Sequence, residues 1–269
     1  MTAAEHWRSA LEAWALPEKL LEAAEESPYG WSTELWRRRS RIARAAPDGG
    51  PTLACVRVLA GPPPGDVLDV GAGRGRASLP LARDGCRLVA VEKDEGMAEG
   101  LEKDAAGMAV RIVRGRWPDV ARHVGPVEVA MCAHVVYDVA DLVPFLSAMV
   151  ERATRGVVVE LTETHPWSPL GPWYHALHGI DLPDGPTVED FARVMEEVTG
   201  TVPTVERWER GGGLWFTGWD EIEEHYGRRL LLSAERRHEL RDLLPVVVED
   251  GKYYVGDRTR RLATVWLEI

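Results

Sequence analysis

Short apolar runs alternate with helix-like segments through the middle of the chain, and this alternation is typical of an α/β fold. Five of the runs have the length and composition of buried strands: 67–70, 87–91, 109–113, 127–132 and 156–161. Helical patterns occur at 76–83, 141–154 and 188–198. Asp141 stands where an N-cap is expected, because its carboxylate can accept from the free amides of the first helical turn.

The segment before the first strand is mostly helical in pattern. Three stretches have helical character, at 5–16, 33–46 and 52–59. A proline- and glycine-rich run at 61–65 then forms a stiff connector into the first strand.

Two further strands are predicted after the helix at 188–198, at 201–208 and 261–268. The block between them, 211–256, contains a glycine run and a helical stretch at 233–243. We interpret this block as an insertion before the last strand.

A glycine turn directly follows the first apolar run. Gly71, Gly73 and Gly75 follow the strand, and Asp69 stands two residues before the first of them. Glycines permit backbone angles that a side chain would forbid, and they let a ligand lie against the main chain. The helix N-terminus beyond the turn presents free N–H groups, so this unit predicts a socket for a nucleotide-like ligand with an anionic group.

The glycine spacing differs from the G-x-G-x-x-G dinucleotide fingerprint, because the third glycine comes two residues after the second. The pattern Asp-x-Gly-x-Gly-x-Gly resembles the first motif of the class I S-adenosylmethionine-dependent methyltransferases. The resemblance covers residues 61–208 well and the rest loosely. It implies a Rossmann-like, seven-stranded, mostly parallel sheet with helices on both faces and a reversed last strand.

The resemblance also implies a domain plan and a chemistry. Residues 1–60 would form an N-terminal helical lid and 61–269 the methyltransferase core, with 162–186 and 211–256 as segments of the substrate pocket. Tyr29, Trp31 and Arg37 of this lid could reach the bound cofactor; the alternative for the arginine run that contains Arg37 is a solvated face. The reaction would be in-line displacement at the methyl carbon, with S-adenosylmethionine as donor and S-adenosylhomocysteine as product.

Glu92 ends the second strand, about 20 residues beyond the glycine turn, where an acid is placed to accept hydrogen bonds from ribose hydroxyls. The alternative is an acidic, solvated loop. Met97 either covers the adenine face or packs in the core. In the resembling enzymes the loop after the third strand touches the adenine, and here it carries Arg116 and Trp117. The predicted cofactor contacts are Asp69, Gly71, Ala72, Gly73, Gly75, Glu92, Lys93, Met97, Arg116, Trp117 and Ala133.

His134 and Tyr137 lie just beyond the fourth strand, where the resemblance places residues that face the methyl group. A base is needed only if the acceptor is a hydroxyl or another protonated group. His134 is our first candidate, with Glu163 and His165 as rivals on the long segment after the fifth strand. That segment leaves the carboxyl end of a central strand, where ligands of open α/β sheets bind. His175 on it is followed by a histidine three residues later, but without further ligands we predict no metal site.

Composition narrows the class of protein. The 269 residues suffice for one large domain, and a net charge of −11 argues against a nucleic-acid partner. Three scattered cysteines make a disulfide framework unexpected. No signal peptide or apolar run of spanning length is present, so we expect a cytoplasmic protein and no membrane partner. The predominance of arginine over lysine suggests a bacterial gene, and the oligomeric state stays open.

Three functions remain possible at this point. The first is a methyltransferase acting on a small-molecule acceptor. The second is a non-catalytic nucleotide-binding module on the same fold. The third, which the glycine spacing disfavours, is a nicotinamide-dependent oxidoreductase.

Overall fold

The structure is a computed structural model, which describes residues 1–29, 35, 38, 50–62 and 65–269. The described residues form ten strands: β1 (Asp66–Val70), β2 (Arg87–Glu92), β3 (Val110–Arg114), β4 (Val127–Ala133), β5 (Ala153–Thr162), β6 (Thr204–Arg210), β7 (Trp215–Phe216), β8 (Val246–Glu249), β9 (Lys252–Val255) and β10 (Arg260–Glu268). Seven of them make one sheet in the order β3-β2-β1-β4-β5-β10-β6. The first five strands in this order pair in parallel, and β10 is antiparallel to β5 and β6. The predicted seven-stranded sheet with a reversed last strand is therefore confirmed.

The described residues also form ten α-helices, several of which cover the two faces of this sheet. They are α1 (Ala3–Glu12), α2 (Glu18–Glu22), α3 (Gly50–Ala60), α4 (Leu79–Arg83), α5 (Glu95–Asp104), α6 (Leu142–Arg152), α7 (Gly171–His178), α8 (Val188–Thr199), α9 (Trp219–Arg229) and α10 (Leu240–Leu243). Alternate residues of β5 point to opposite faces. Val158 packs in the core under α3 and α4, whereas Val157 and Val159 pack under α1, α6 and α8. Each face thus has its own apolar core.

Local sequence signals explain several helix starts. Thr2 and Glu5 form a capping box at α1, and Thr187 and Asp190 form one at α8. Asp141 occupies the N-cap position of α6, but its side chain makes no capping hydrogen bond. The predicted capping role of Asp141 is wrong, since its carboxylate instead lies 3.3 Å from the Arg8 guanidinium.

Some predicted boundaries are also wrong. The helix expected at 76–83 begins at Leu79, because residues 71–78 continue the glycine turn. The helix expected to end at residue 16 ends at Glu12. The helix expected at 141–154 ends at Arg152, where β5 begins with Ala153. The helix predicted at 33–46 lies outside the described residues, apart from positions 35 and 38.

The insertion forms a small unit of its own beside the sheet. Strands β7, β9 and β8 make a three-stranded antiparallel sheet. Phe216 and Ile222 from this unit pack with Tyr174 of α7 and with Leu16 and Leu35 of the N-terminal segment in a third apolar cluster. The insertion therefore joins the N-terminal segment to the segment that follows β5.

The helix α3 belongs to the packing of the sheet. Leu53 and Val56 are buried against it, and the hydroxyls of Thr52 and Thr264 are 2.7 Å apart. A lid function for the whole of 1–60 remains a prediction. None of the helices in the described ranges is long and apolar enough to cross a bilayer.

Candidate cofactor and methyl-transfer site

The three glycines of the turn after β1 have different surroundings. All three have positive φ angles: +72° at Gly71, +56° at Gly73 and +73° at Gly75. A Cβ atom at Gly71 would lie 2.4 Å from Val135, and one at Gly75 would lie 2.6 Å from Leu79. A Cβ atom at Gly73 would meet nothing within 4 Å. Gly71 and Gly75 thus permit close packing, whereas Gly73 exposes main chain to an open space that a ligand can fill.

The carboxylate of Glu92 closes the same turn from β2. Its Oε2 accepts a hydrogen bond from the Gly73 amide at 2.7 Å, and its Oε1 accepts one from the Asp94 amide at 2.8 Å. The residue is buried, and β2 pairs in parallel with β1 so that the two strand ends lie side by side. The prediction of an acid beside the glycine turn agrees with this geometry. Its contact with ribose hydroxyls stays a prediction.

Asp69, two residues before the first glycine of the turn, is buried. Asp69 is 1% exposed, and within the described ranges its Oδ2 atom makes no hydrogen bond of good geometry, although the Ser78 hydroxyl lies close enough to lower its pKa. Burial raises the pKa of Asp69 to about 6, and the charges of Glu92 and Glu160 add to the rise, whereas the Ser78 hydroxyl and the charge of Arg76 oppose it. A buried carboxylate with an unused acceptor costs free energy that a bound cationic or hydrogen-bonding group would offset.

The other predicted cofactor contacts are placed as follows. The Ala72 amide donates to the Val91 carbonyl in the turn, and Ala133 is the last residue of β4. Lys93 is exposed, and Met97 is half-buried, with its amide donating to the Asp94 carboxylate. These residues remain candidate contacts.

Arg116 and Trp117 occupy the loop after β3, as expected, but only Arg116 is exposed. The indole of Trp117 packs in the core, and its N–H donates to the Phe145 carbonyl at 3.0 Å. The Trp117 ring is not available for stacking on an adenine, and its N–H already has a partner, so we assign this residue a packing role. The adenine contact is left to other groups of this loop.

His134 and a residue that the sequence analysis missed, Glu160, lie together at the ends of β4 and β5. The His134 Nε2 atom is 3.0 Å from Glu160 Oε1, and the His134 amide donates to the Glu160 carbonyl at 2.9 Å. Within the described residues both ring nitrogens of His134 are buried; Nδ1 has no partner, and the contact of Nε2 with Glu160 is close in distance but outside hydrogen-bond geometry. A glutamate inside the apolar run Val157–Leu161 was the signal in the sequence, since buried acids are uncommon without a partner or a role.

The charges of this pair follow from its surroundings. Burial lowers the pKa of His134 to about 4, although Glu160 opposes the shift. Burial alone would raise the pKa of Glu160, but His134, Arg210 and Arg76 outweigh it and lower that pKa to about 2. At neutral pH the pair is therefore a neutral imidazole beside a carboxylate.

Tyr137 and His165 lie near His134. The rings of His134 and Tyr137 have centroids 6.4 Å apart, and those of Tyr137 and His165 are 5.9 Å apart. The Tyr137 hydroxyl is 2.6 Å from the Thr162 hydroxyl and accepts a hydrogen bond from the Thr162 amide. His165 stacks on Trp14 at 3.8 Å, and burial lowers its pKa to about 4. The structure thus brings three of the four predicted reaction-site residues together.

Glu163 is held away from this group. Its Oε1 atom lies 3.4 Å from the Arg207 side chain, which also pairs with Glu189. His175 lies 2.8 Å from the Asp181 carboxylate, and His178 lies 2.7 Å from the Leu230 carbonyl. Across the part of the chain that the structure describes, no three histidine, cysteine or acidic side chains are grouped to hold a metal ion.

Comparisons with known proteins agree with this geometry. Residues 67–156 match the family model described as "Methyltransferase domain". A methyltransferase candidate from Bacillus halodurans C-125 has a TM-score of 0.52 at 15% identity, over 81% of this chain and 98% of that one. The plantazolicin methyltransferases BamL and BpumL have TM-scores of 0.53 and 0.50 at 11% and 10% identity. They cover 98% of this chain and 97% and 95% of their own.

Among curated proteins, no relative matches the sequence. The structural neighbours establish the fold, while the family match and the Asp69–Gly75 turn establish the kind of domain. Residues 67–156 are a methyltransferase domain, and the fold of the chain that carries it is that of the class I S-adenosylmethionine-dependent methyltransferases.

Proposed function

We propose that the enzyme transfers a methyl group from S-adenosylmethionine to a small-molecule acceptor that carries a protonated nucleophile, with His134 as the group that receives the proton. The observation that carries the cofactor assignment is the open main chain at Gly73 beside the buried Glu92 carboxylate. Glycine-lined turns at strand ends accept ligands against the backbone, and a carboxylate there can bind sugar hydroxyls.

The residues of the turn fit the cofactor. Glu92 would accept from the ribose hydroxyls, and the buried Asp69 carboxylate would offset the positive charge of the amino acid part. The bound cofactor would supply a methyl group on a sulfonium, which a nucleophile can displace. The protein then has to exclude water and hold the nucleophile in line with the methyl carbon.

His134 is better placed than its rivals to take a proton. Glu160 lies 3.0 Å from His134 Nε2 and so favours the tautomer with hydrogen on that nitrogen, which leaves the Nδ1 lone pair for a substrate proton. Glu160 would also stabilise the imidazolium that forms. His165 accepts a hydrogen bond from the Trp167 amide through its Nδ1, and burial is the only cause of its lowered pKa.

The acceptor pocket is proposed to lie between the segment after β5 and the N-terminal segment. Their aromatic side chains meet there, since Trp14 stacks on His165 and Tyr29 stacks on Trp167 at 5.3 Å. The BamL neighbour is described in complex with a triazolic desmethylPZN analogue and S-adenosylhomocysteine. An acceptor with a flat or apolar part would suit the aromatic walls.

Calorimetry with S-adenosylhomocysteine tests the cofactor assignment. We expect saturable heat at one site per chain, and no change in nicotinamide fluorescence when NADH is titrated in parallel. Absence of S-adenosylhomocysteine binding would overturn the proposal, and binding of NADH would favour the oxidoreductase. Release of S-adenosylhomocysteine from S-adenosylmethionine in the presence of acceptors separates the enzyme from a non-catalytic binding module.

A further inference from the structure

Three arginine side chains converge near one carboxylate at the carboxyl edge of the sheet. Arg76 belongs to the glycine turn, Arg210 ends β6 and Arg260 begins β10. The Arg210 Nη2 atom lies 3.4 Å and 3.5 Å from the two Glu160 oxygens, and Arg76 Nη2 lies 3.6 Å from Oε1. Arg210 and Arg260 are directly opposite each other in the β6–β10 ladder. Their side chains therefore leave the same face of the sheet, an unfavourable arrangement for like charges.

The acids nearby do not balance these charges. Glu160 has two arginine partners, whereas Arg260 forms no ion pair with any residue in the described ranges. Burial lowers the pKa of Arg260, Tyr137 and the charge of Glu160 oppose the shift, and the charges of Arg76 and Arg210 add to it. Asp69 is the second carboxylate whose charge acts on Arg76, so the three guanidinium groups share Glu160 and Asp69.

We propose that Arg210 and Arg260 bind a carboxylate or phosphate group of the acceptor, so that this enzyme methylates an anionic small molecule. The inference rests on the methyltransferase function proposed above. A guanidinium presents a rigid fork of N–H donors that matches either anion. The two strands also place the anion beside Glu160 and its partner His134, next to the group proposed to receive the proton.

The position of the strands favours the acceptor over the cofactor as the source of the anion. Gly73 and Glu92 follow β1 and β2, whereas β10 lies three strand spacings from β1 in the order β1-β4-β5-β10. At about 4.8 Å per spacing, the strands that carry the cofactor turn and Arg260 are roughly 14 Å apart. The cofactor's own carboxylate is the other possible source, and the first experiment separates the two.

The first experiment compares S-adenosylhomocysteine binding by calorimetry in the wild type and in Arg260→Gln. We expect the two dissociation constants to agree within about twofold, since a 1.4 kcal/mol effect would be tenfold. A tenfold weaker Arg260→Gln would overturn the proposal, because the cluster would then bind the carboxylate of the cofactor. If the wild type itself does not bind S-adenosylhomocysteine, the proposed function fails, and this result is distinct from a failure of the anion site.

The second experiment titrates sodium phosphate and, separately, sodium benzoate at constant ionic strength, with and without S-adenosylhomocysteine. Tryptophan fluorescence provides the signal, because the Arg210 guanidinium lies over the Trp208 ring at 4.7 Å. We expect a saturable response to at least one anion in the wild type, and a half-saturation concentration at least about fivefold higher in Arg260→Gln.

Arg261→Gln is the matched control. Arg261 is the next residue of β10, its side chain is 69% exposed, and it points to the opposite face. We expect this variant to respond to both anions like the wild type. No saturable response in the wild type, or the same response in Arg260→Gln as in the wild type, would overturn the proposal. Thermal unfolding of each variant verifies that both substitutions leave the fold intact.

Discussion

The carboxylate of Glu92 lies 2.7 Å from the amide of Gly73, so an acid at the end of β2 fixes the turn that follows β1. The same carboxylate accepts a hydrogen bond from the amide of Asp94. Asp94 is the N-cap residue of α5. One side chain thus joins the glycine turn to the next strand–helix connection. Both of its oxygens keep lone pairs for a sugar, because a carboxylate has about four acceptor sites.

Replacement of Glu92 by glutamine is expected to weaken S-adenosylhomocysteine binding roughly tenfold or more, since hydrogen bonds to a charged acceptor contribute about 1.5–3 kcal/mol. The amide can accept at only one of its two terminal atoms, so either the turn or the sugar loses a partner. Calorimetry measures the effect. Glu99→Gln, an exposed acid on α5, is the control and should bind like the wild type. Equal affinity in Glu92→Gln would remove Glu92 from the cofactor site.

Replacement of Gly73 by alanine is expected to abolish cofactor binding while the protein still folds. The new Cβ meets no protein atom within 4 Å, and it projects into the space proposed for the ligand. The left-handed φ of +56° should cost about 1–2 kcal/mol of stability.

Gly107→Ala is the matched control for that cost. Gly107 also has a positive φ, +79°, and open space around its missing Cβ, but it lies in the turn before β3. Both variants should lose a similar amount of thermal stability, and only Gly73→Ala should lose S-adenosylhomocysteine binding. Normal binding by Gly73→Ala would show that the ligand does not lie against this turn.

The cofactor half of the fold was predictable because local signals and the sheet agree there. A glycine turn after a buried strand fixes where the ligand can lie, and an acid at the next strand end is brought beside it by parallel pairing. The location of Glu92 beside the turn could therefore be predicted from the position of Gly73 in the chain. The strand order and the reversed β10 came from the family resemblance and not from residue patterns.

The reaction side depended on contacts between residues far apart in sequence. Glu160 meets His134 and Arg210 only because β5 pairs with β4 and is followed in the sheet by β10 and β6. Trp117 looked like a ligand contact on a loop, yet its ring completes the core beside Phe145. No local sequence pattern indicates these tertiary contacts. The insertion was recognised as extra sequence, but its three-stranded sheet was not predicted.

Asp69→Asn is expected to stabilise the ligand-free protein at pH 7.5 and to weaken cofactor binding. The pKa of Asp69 is raised from 3.8 to about 6 in the folded protein, so the folded state binds more protons than the unfolded state between these values. Its contribution to stability is therefore present below about pH 4 and is lost as pH rises through 6. The loss amounts to at most about 3 kcal/mol.

Thermal unfolding as a function of pH measures this effect. The melting temperature of Asp69→Asn should exceed that of the wild type at pH 7.5, and the two should converge near pH 4. Asp119→Asn, an exposed acid on the loop after β3, should show no such difference. A destabilised Asp69→Asn at pH 7.5 would mean that the carboxylate is already stabilised by the protein alone.

His134→Asn is expected to lower the rate of methyl transfer roughly tenfold or more, a typical range for the loss of a general base, while S-adenosylhomocysteine affinity stays unchanged. Asparagine tolerates the left-handed φ of +60° at this position, so the backbone can remain in place. His123→Asn, at an exposed histidine, is the control. Full turnover by His134→Asn would exclude His134 from the reaction.

Stability against pH provides a second readout for His134 that requires no acceptor. Its pKa falls from 6.5 to about 4 on folding, so between these values the unfolded state binds the extra proton. The His134 contribution to stability should therefore be lost as pH is lowered from about 6.5 to 4, so the stability of the wild type relative to that of His134→Asn should fall over this window. Identical slopes would mean that folding does not lower the pKa of the imidazole, which would contradict its placement as a buried, neutral group beside Glu160.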